Sequence, residues 1–455
     1  MDKKTAIDSL AREAHEKGGF TGAWLYAEND RIITKGTLGF RDKDESIPIT
    51  EDTVFQLASV SKQFTATAVM LLKRNGLLSL DDDINRFFPE IPFKGVTIYH
   101  LLTHTCGLPD LYGKDMWIAR RSKEENTIPD NDVIIRYLCE SGEPALFLPG
   151  ERSEYSNTGY CLLAEIVEKV SGTAFEDFLK DNIFEPAGMH STRVLHVRKD
   201  GSAPKEYATG FIVDDDRYFI PDTHEGSDWV VWFDGMHGKG NVHSTINDLY
   251  KWHIALRDEK ILTHEEQKEM ATPCRLNNGE IDFNVGLKSR YGFGWFIDDM
   301  PDGDTIVSHT GHWAGNETYF ERLLNGDRVL IFLSNHLPLD ARANRSFWTG
   351  MKAIFKDEEP EAVSSIVDIT VKDSDESGWE SFCGKYDHEE DCLFGVEEVF
   401  IKDGELHAVA VDDSIRTSFR LYPAGDNIFI RKSGLEKFEF ADGCIIVDGV
   451  KNKKL

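Results

Sequence analysis

Residues 57–72 read LASVSKQFTATAVMLL, an apolar run interrupted near its start by Ser59 and Lys62 and stopped three residues later at Asn75-Gly76. Strongly apolar character, good helix formers and a terminal Asn-Gly predict a buried helix. Residues i and i+3 share a helix face, so the Ser59 hydroxyl and the Lys62 amine approach each other. A serine hydroxyl attacks only after a base takes its proton, and lysine acts as that base when burial or positive neighbours lower its pKa. Backbone N–H groups at the helix start favour a developing oxyanion. A capping serine followed by a lysine that reaches for water is the alternative. A chain of this length contains roughly one Ser-x-x-Lys by chance, and Ser202-Ala203-Pro204-Lys205 is a second, but Gly201 and Pro204 disfavour a helix there.

Working outward, GAWLYAE (22–28) and RIITKGTLGF (31–40) alternate around Asn29-Asp30 and predict a β-hairpin. Far downstream YGFGWFI (291–297), ETYFERLL (317–324) and DRVLIFLSN (327–335) are β-rich, followed by a helical ARANRSFWTGMKAIF (341–355). These two ends are expected to build one antiparallel sheet, with a helical insertion over roughly 59–205. Residues 3–17 read as a surface helix with Ala6, Ile7, Leu10, Ala11 and Ala14 on one face. The expected domains are 1–357, a connector over 358–377 with one strand at most, and a small all-β unit over 378–455, where short β runs are punctuated by Asp403-Gly404, Gly425-Asp426 and Asp442-Gly443.

The 455 residues carry a formal net charge of −29, which repels nucleic acid and anionic lipid alike. No stretch approaches the roughly 20 apolar residues of a membrane span, and the N-terminus lacks the apolar core of a signal peptide. Seven cysteines without CxxC pairing read as reduced thiols, and with no signal peptide a cytoplasmic location is expected. GxSxG, HExxH, P-loop and GxGxxG signatures are absent.

Two further elements carry chemistry. Tyr155-Ser156-Asn157 precedes an apolar helix in GERSEYSNTGYCLL; a phenol beside a lysine serves as phenolate or passes a proton, and an amide side chain holds a polar group or caps the helix. His309-Thr310-Gly311, in VSHTGHWAGNETYF, closes an expected strand, with Gly311 letting substrate approach and the His312 amide available to an oxyanion. His309/His312 and His100/His104 have chelating spacings but no third ligand at a familiar distance, so no metal or other cofactor is expected. Trp295, Trp313 and Phe320 are candidates for an apolar pocket, and Asp214-Asp215-Asp216 for contact with a substrate amine.

In order, SVSK, YSN and HTG resemble the three signature elements of the β-lactamase and penicillin-binding protein superfamily, in particular its class C-like branch of esterases and D-aminopeptidases. TIYHLLTHTCGLPDL (97–111), KGNVHSTINDLYKW (239–252) and YGFGWFI look like further stretches of that branch. The resemblance implies an α/β (α+β) sandwich, a central antiparallel sheet with flanking helices and a helical subdomain, plus a C-terminal lipocalin-like barrel. It implies an acyl-enzyme on Ser59, proton exchange by Lys62 and Tyr155, an oxyanion held by the amides of Ser59 and His312, and substrate contacts at Asn157, His309, Thr310, Gly311 and His312. His309 stands where most β-lactamases carry lysine, which turns the expectation toward small esters, amides or peptides with D-residues. β-Lactamase or DD-peptidase activity and a catalytically idle ligand binder are the alternatives. The partner is then a small-molecule substrate, with homo-oligomers allowed.

Overall fold

The computed structural model describes residues 2–455 apart from 43, 45, 114–115, 215–216, 225, 284–288, 369, 371–375, 388–393, 413–414 and 448–449. Its main sheet uses both ends of the first 340 residues: β1 (Gly22–Glu28), β2 (Arg31–Leu38), β3 (Arg290–Tyr291), β4 (Phe296–Asp299), β5 (Thr305–Trp313), β6 (Asn316–Leu323) and β7 (Arg328–Ser334). They are ordered β2-β1-β7-β6-β5-β4-β3 and every pair is antiparallel. The β1–β2 turn places Asn29 and Asp30 at φ 52° and 60°, which the tight two-residue hairpin requires. Opposite Trp24 stands Gly36, where a Cβ would lie 2.3 Å from the indole.

Strand alternation separates two cores. Ala23, Leu25, Ala27, Val329, Ile331 and Leu333 face the large helical core, and Trp24, Tyr26, Leu330 and Phe332 face the other side. There the helices Lys3–Gly18 and Ala341–Phe355 cover the sheet with Ile7, Leu10, Ala11, Ala14, Phe347 and Ile354. The opposite face is covered by Lys62–Arg74 and Ile246–Arg257, with Asn157–Ser171 packed on Lys62–Arg74, and the buried side chains of all three join the same core.

Two strand readings need correction. Residues 291–297 are not one strand: Gly292–Trp295 form a turn closed by the Gly292 N–H on the Trp295 carbonyl at 2.9 Å. Gly294 has φ 76° and a Cβ there would stand 2.8 Å from the Lys62 carbonyl, so the helix start forces the chain to bend away. The His309-Thr310-Gly311 triplet lies inside β5, which continues to Trp313 in register with Asn316.

Among the described residues of 358–377 there is no strand; Ile366–Asp368 makes a 3₁₀ turn and Glu376 opens another, while 369 and 371–375 lie outside the described residues. Among the described residues, eight strands between Gly384 and Lys454 then form a closed up-and-down barrel. Closure comes from pairing of its first and last strands, Tyr386 with Lys454 and Asp387 with Lys453. The barrel docks on the sheet domain through the Ser418 amide, which donates to Asp214 Oδ1 at 3.1 Å, and the Ala341 amide, which donates to the Lys432 carbonyl at 2.8 Å. Asp214 is thus a docking residue that also faces His224 Nε2 at 3.0 Å, and Asp215 and Asp216 lie outside the described residues. The six described cysteines stand as free thiols.

Candidate active site

Ser59 sits in a 3₁₀ turn, Ala58–Ser61, that runs directly into the helix Lys62–Arg74. Ala58 before it has φ 48°, a left-handed conformation worth on the order of 1–3 kcal/mol of strain for a non-glycine residue. The surroundings hold that conformation. The Leu57 amide donates to the Val242 carbonyl at 2.9 Å, Thr318 Oγ1 donates to the Leu57 carbonyl at 2.7 Å, and the Val242 amide donates to Ser61 Oγ at 3.1 Å.

Gly311 completes the clamp. A Cβ there would meet Thr318 Oγ1 at 2.1 Å and the Leu57 carbonyl at 2.2 Å. The close approach at this glycine is made by the chain's own residue 57.

Lys62 Nζ is fully buried and lies 3.0 Å from Ser59 Oγ, 2.9 Å from Asn157 Oδ1 and 2.9 Å from the Lys239 carbonyl. It also stands 4.7 Å from the centre of the Tyr155 ring. Burial, reinforced by the Lys239 ammonium, pulls its pKa well below the usual lysine value. A neutral amine there has two protons for the two carbonyl oxygens and a lone pair for the Ser59 hydroxyl. Burial pushes the Tyr155 phenol far up, against a smaller lowering by Ser59, so at rest Tyr155 is a proton donor and not a phenolate.

Tyr155 and Asn157 are placed by residues from 97–111. His104 packs its ring 4.3 Å from that of Tyr155, accepts the Ser156 amide on Nδ1 at 3.0 Å, and is held neutral by burial. Asp110 receives the Asn157 amide at 2.6 Å and the Thr158 amide at 3.3 Å, a carboxylate at a helix start. Ser156, rather than Asn157, is the N-cap of the helix Asn157–Ser171, accepting from the Gly159 amide at 3.1 Å. Asn157 is thereby left free to hold Lys62.

The third element divides between core and cavity. A cavity of about 1100 Å³ opens over Ser59, Tyr155 and Asn157 and is lined by Thr310, His312 and Trp313 from β5. His309 and Gly311 do not line it. His309 is buried, with Nε2 3.0 Å from Tyr291 Oη and Nδ1 2.5 Å from the Thr310 carbonyl, and burial with Lys62 nearby holds its pKa down at about 3. It brings no positive charge to a substrate. The amine on the cavity wall is instead that of Lys239, whose Nζ lies 4.6 Å from the Trp313 ring and 5.7 Å from that of Tyr112 and whose pKa is lowered by burial.

His309 and His312 lie an odd number of positions apart on one strand and so point to opposite faces, which rules out chelation by that pair. His100 Nδ1 accepts the Thr97 amide at 3.1 Å as part of a helix cap, and His104 is committed to Ser156. Of the aromatic candidates Trp313 lines the cavity, while Trp295 and Phe320 pair in the core with ring centres 5.9 Å apart. Lys205 and Ser202 of the second Ser-x-x-Lys are exposed. His104, Asp110 and Lys239 lie inside the quoted stretches 97–111 and 239–252. Their only sequence signal was a polar residue embedded in an apolar or glycine-rich run, which does not say what it faces.

The family model described as Beta-lactamase matches residues 7–349. The chain belongs to the β-lactamase family. Penicillin-binding protein 4* of Bacillus subtilis (strain 168) is 38% identical over 338 residues, covering 74% of this chain and 72% of the relative. The crystal structure of D-amino acid amidase from Ochrobactrum anthropi SV3 complexed with L-phenylalanine amide matches with a TM-score of 0.59 and 25% identity over 74% of this chain and 92% of that one. The octameric penicillin-binding protein homologue from Pyrococcus abyssi covers 98% of both chains at a TM-score of 0.65 and 23% identity, a likeness in fold that includes the barrel. This β-lactamase-family chain thus stands among hydrolases of the penicillin-binding protein and D-amino acid amidase class. No described helix is long and apolar enough to cross a membrane.

Proposed function

We propose that the protein is a serine acyl hydrolase acting on small esters or amides, with D-residue amides and peptides as the favoured class. The observation that carries the reading is the 3.0 Å approach of a buried, pKa-lowered Lys62 amine to Ser59 Oγ, beside a neutral Tyr155 phenol. Ser59 Oγ attacks the carbonyl carbon and its proton passes to Lys62 Nζ. The amides of Ser59 and His312 receive the oxyanion. As the carbonyl re-forms, Tyr155 gives its proton to the departing oxygen or nitrogen and regains one from the Lys62 ammonium. Water then attacks the ester, giving up a proton through the same groups in reverse, and Ser59 is regenerated. Asn157 keeps Lys62 oriented, and Thr310 and His312 contact the substrate from β5. In this reading residues 1–357 are the catalytic domain, 358–377 the connector and 378–455 the barrel domain.

The preference for D-residue amides draws support from the D-amino acid amidase likeness. A β-lactam or DD-peptidase substrate is the second reading, favoured by Lys239, a buried amine on the cavity wall that a substrate carboxylate would pair with.

The test compares wild type and Ser59→Ala on a short-chain p-nitrophenyl ester, D- and L-phenylalanine p-nitroanilide and a chromogenic cephalosporin, with intact-mass detection of the acyl-enzyme. Turnover of the ester or the D-anilide should fall by about 10³-fold or more in Ser59→Ala, and the acyl adduct should vanish. Preference for the cephalosporin would move the assignment to the second reading. Equal rates in the two proteins would remove Ser59 as nucleophile.

A further inference from the structure

Away from the cavity, the helix Asn157–Ser171 presents Glu165 and Glu168 on one face, one turn apart, toward His237. One ligand atom from each of the three lies within 4.8 Å of the others, and His237 Nε2 is 3.9 Å from Glu168 Oε1. His237 is only 7% exposed, yet neither ring nitrogen has a hydrogen-bond partner. A buried imidazole without a partner for either nitrogen is costly.

The ring is held in place by other means. It stacks face to face on Phe175 at 5.0 Å and 4°, and its backbone is clamped on Asn131, which accepts the His237 amide at 2.9 Å and donates to the His237 carbonyl at 3.3 Å. A rigidly placed, unpartnered imidazole facing two carboxylates is a preformed donor set.

We propose that Glu165, Glu168 and His237 bind one divalent transition-metal ion of the Zn²⁺ type, at a site separate from the reaction centre. One imidazole and two carboxylates suit such an ion, and two negative charges balance it. Bond lengths of about 2.0–2.2 Å put tetrahedral ligands roughly 3.4 Å apart, so the carboxylates close by about 1 Å on binding. Glu165 and Glu168 are partly exposed, which leaves room for that adjustment. Glu168 Oε1 is steadied by the Phe175 amide at 2.7 Å.

The site has a route to the reaction centre. The residues that follow His237 supply the Gly238 carbonyl to Thr65 Oγ1 at 2.7 Å and the Lys239 carbonyl to Lys62 Nζ at 2.9 Å. A bound ion fastens this segment to the helix that begins with Asn157, roughly 12 Å along its axis from that residue.

For the test, full-length protein stripped with a chelator and dialysed is titrated with CoCl₂ while the visible spectrum is followed, and with ZnCl₂ by calorimetry and thermal melting. Wild type should take up one equivalent with the intense d–d band of a four- or five-coordinate ion and a raised Tm. Glu165→Gln/Glu168→Gln, which keeps volume at partly exposed positions, should weaken binding at least about tenfold, and His237→Ala should abolish the band. Absence of wild-type binding tighter than about 0.1 mM, or binding undiminished in the double variant, would overturn the site.

Discussion

Lys62 links the packing of the protein to its chemistry. Its amine is useful only when neutral, so kcat/KM should rise with pH through the lowered Lys62 pKa and hold until the raised Tyr155 phenol begins to ionise. Burial is the larger cause of the lowering and Lys239 the next. Lys239→Met removes a positive neighbour while keeping an apolar stem beside Trp313 and Tyr112, so the Lys62 pKa must rise. The acid limb of kcat/KM for a neutral ester is then expected to move to higher pH with little change in the plateau. A limb that stays put, or moves to lower pH, would show that Lys239 does not set the charge of Lys62. The same variant should raise KM for carboxylate-bearing substrates more than for neutral ones if Lys239 also faces the acyl group.

At the level of elements, the site is a junction between β5 and the 57–61 turn, and Gly311 is the point where they touch. Gly311→Ala would put a methyl group against the Leu57 carbonyl, a backbone atom that cannot swing aside. The expected result is a loss of about 1–3 kcal/mol in chemical denaturation and a fall in kcat of about 10²-fold, because Ser59 moves with residue 57. Unchanged kcat in a folded variant would mean that the strand yields instead. The sequence read Gly311 as room for a substrate to approach, but a glycine does not announce which neighbour needs the space. Where helical periodicity met one buried face, as in 341–355, or an apolar β run ended at a two-residue turn, as in 22–28, the pattern located the element. Where pairing alone makes the strand, it did not. Residues 384–387 and 450–454 close the barrel, yet VKNKK is polar apart from its first residue, and its Asn452 is buried only because Oδ1 accepts the Val396 amide at 2.9 Å. The SVSK and YSN elements were legible because fixed spacing on a helix start carries geometry. Lys239 was not, since its meaning depends on Trp313, 74 positions downstream.

On the scale of the whole molecule, the barrel forms part of the cavity wall. Ser418, Phe419, Arg431 and Ser433 line the same space as Ser59, so residues more than 350 positions from the nucleophile bound the room available to a substrate. Phe419 belongs to the barrel core and Arg431 is tied to Glu436 at 2.6 Å, so neither reports on the cavity without disturbing the barrel. Ser433 is half-buried and sits next to Lys432, whose carbonyl docks on Ala341. Ser433→Trp adds bulk on the cavity side without removing a core contact. A substrate no larger than an acetyl ester occupies only the floor around Ser59, whereas a peptide of several residues must extend toward the barrel. The variant should therefore keep kcat/KM for p-nitrophenyl acetate within about twofold and lower it about tenfold or more for a tri- or tetrapeptide amide, chiefly through KM. Equal losses on both substrates would mean that the tryptophan had shifted the barrel, a change that the thermal melt would also register. No loss on either would mean that long substrates leave the cavity by another side, and that the barrel's place in the wall sets no limit on their length.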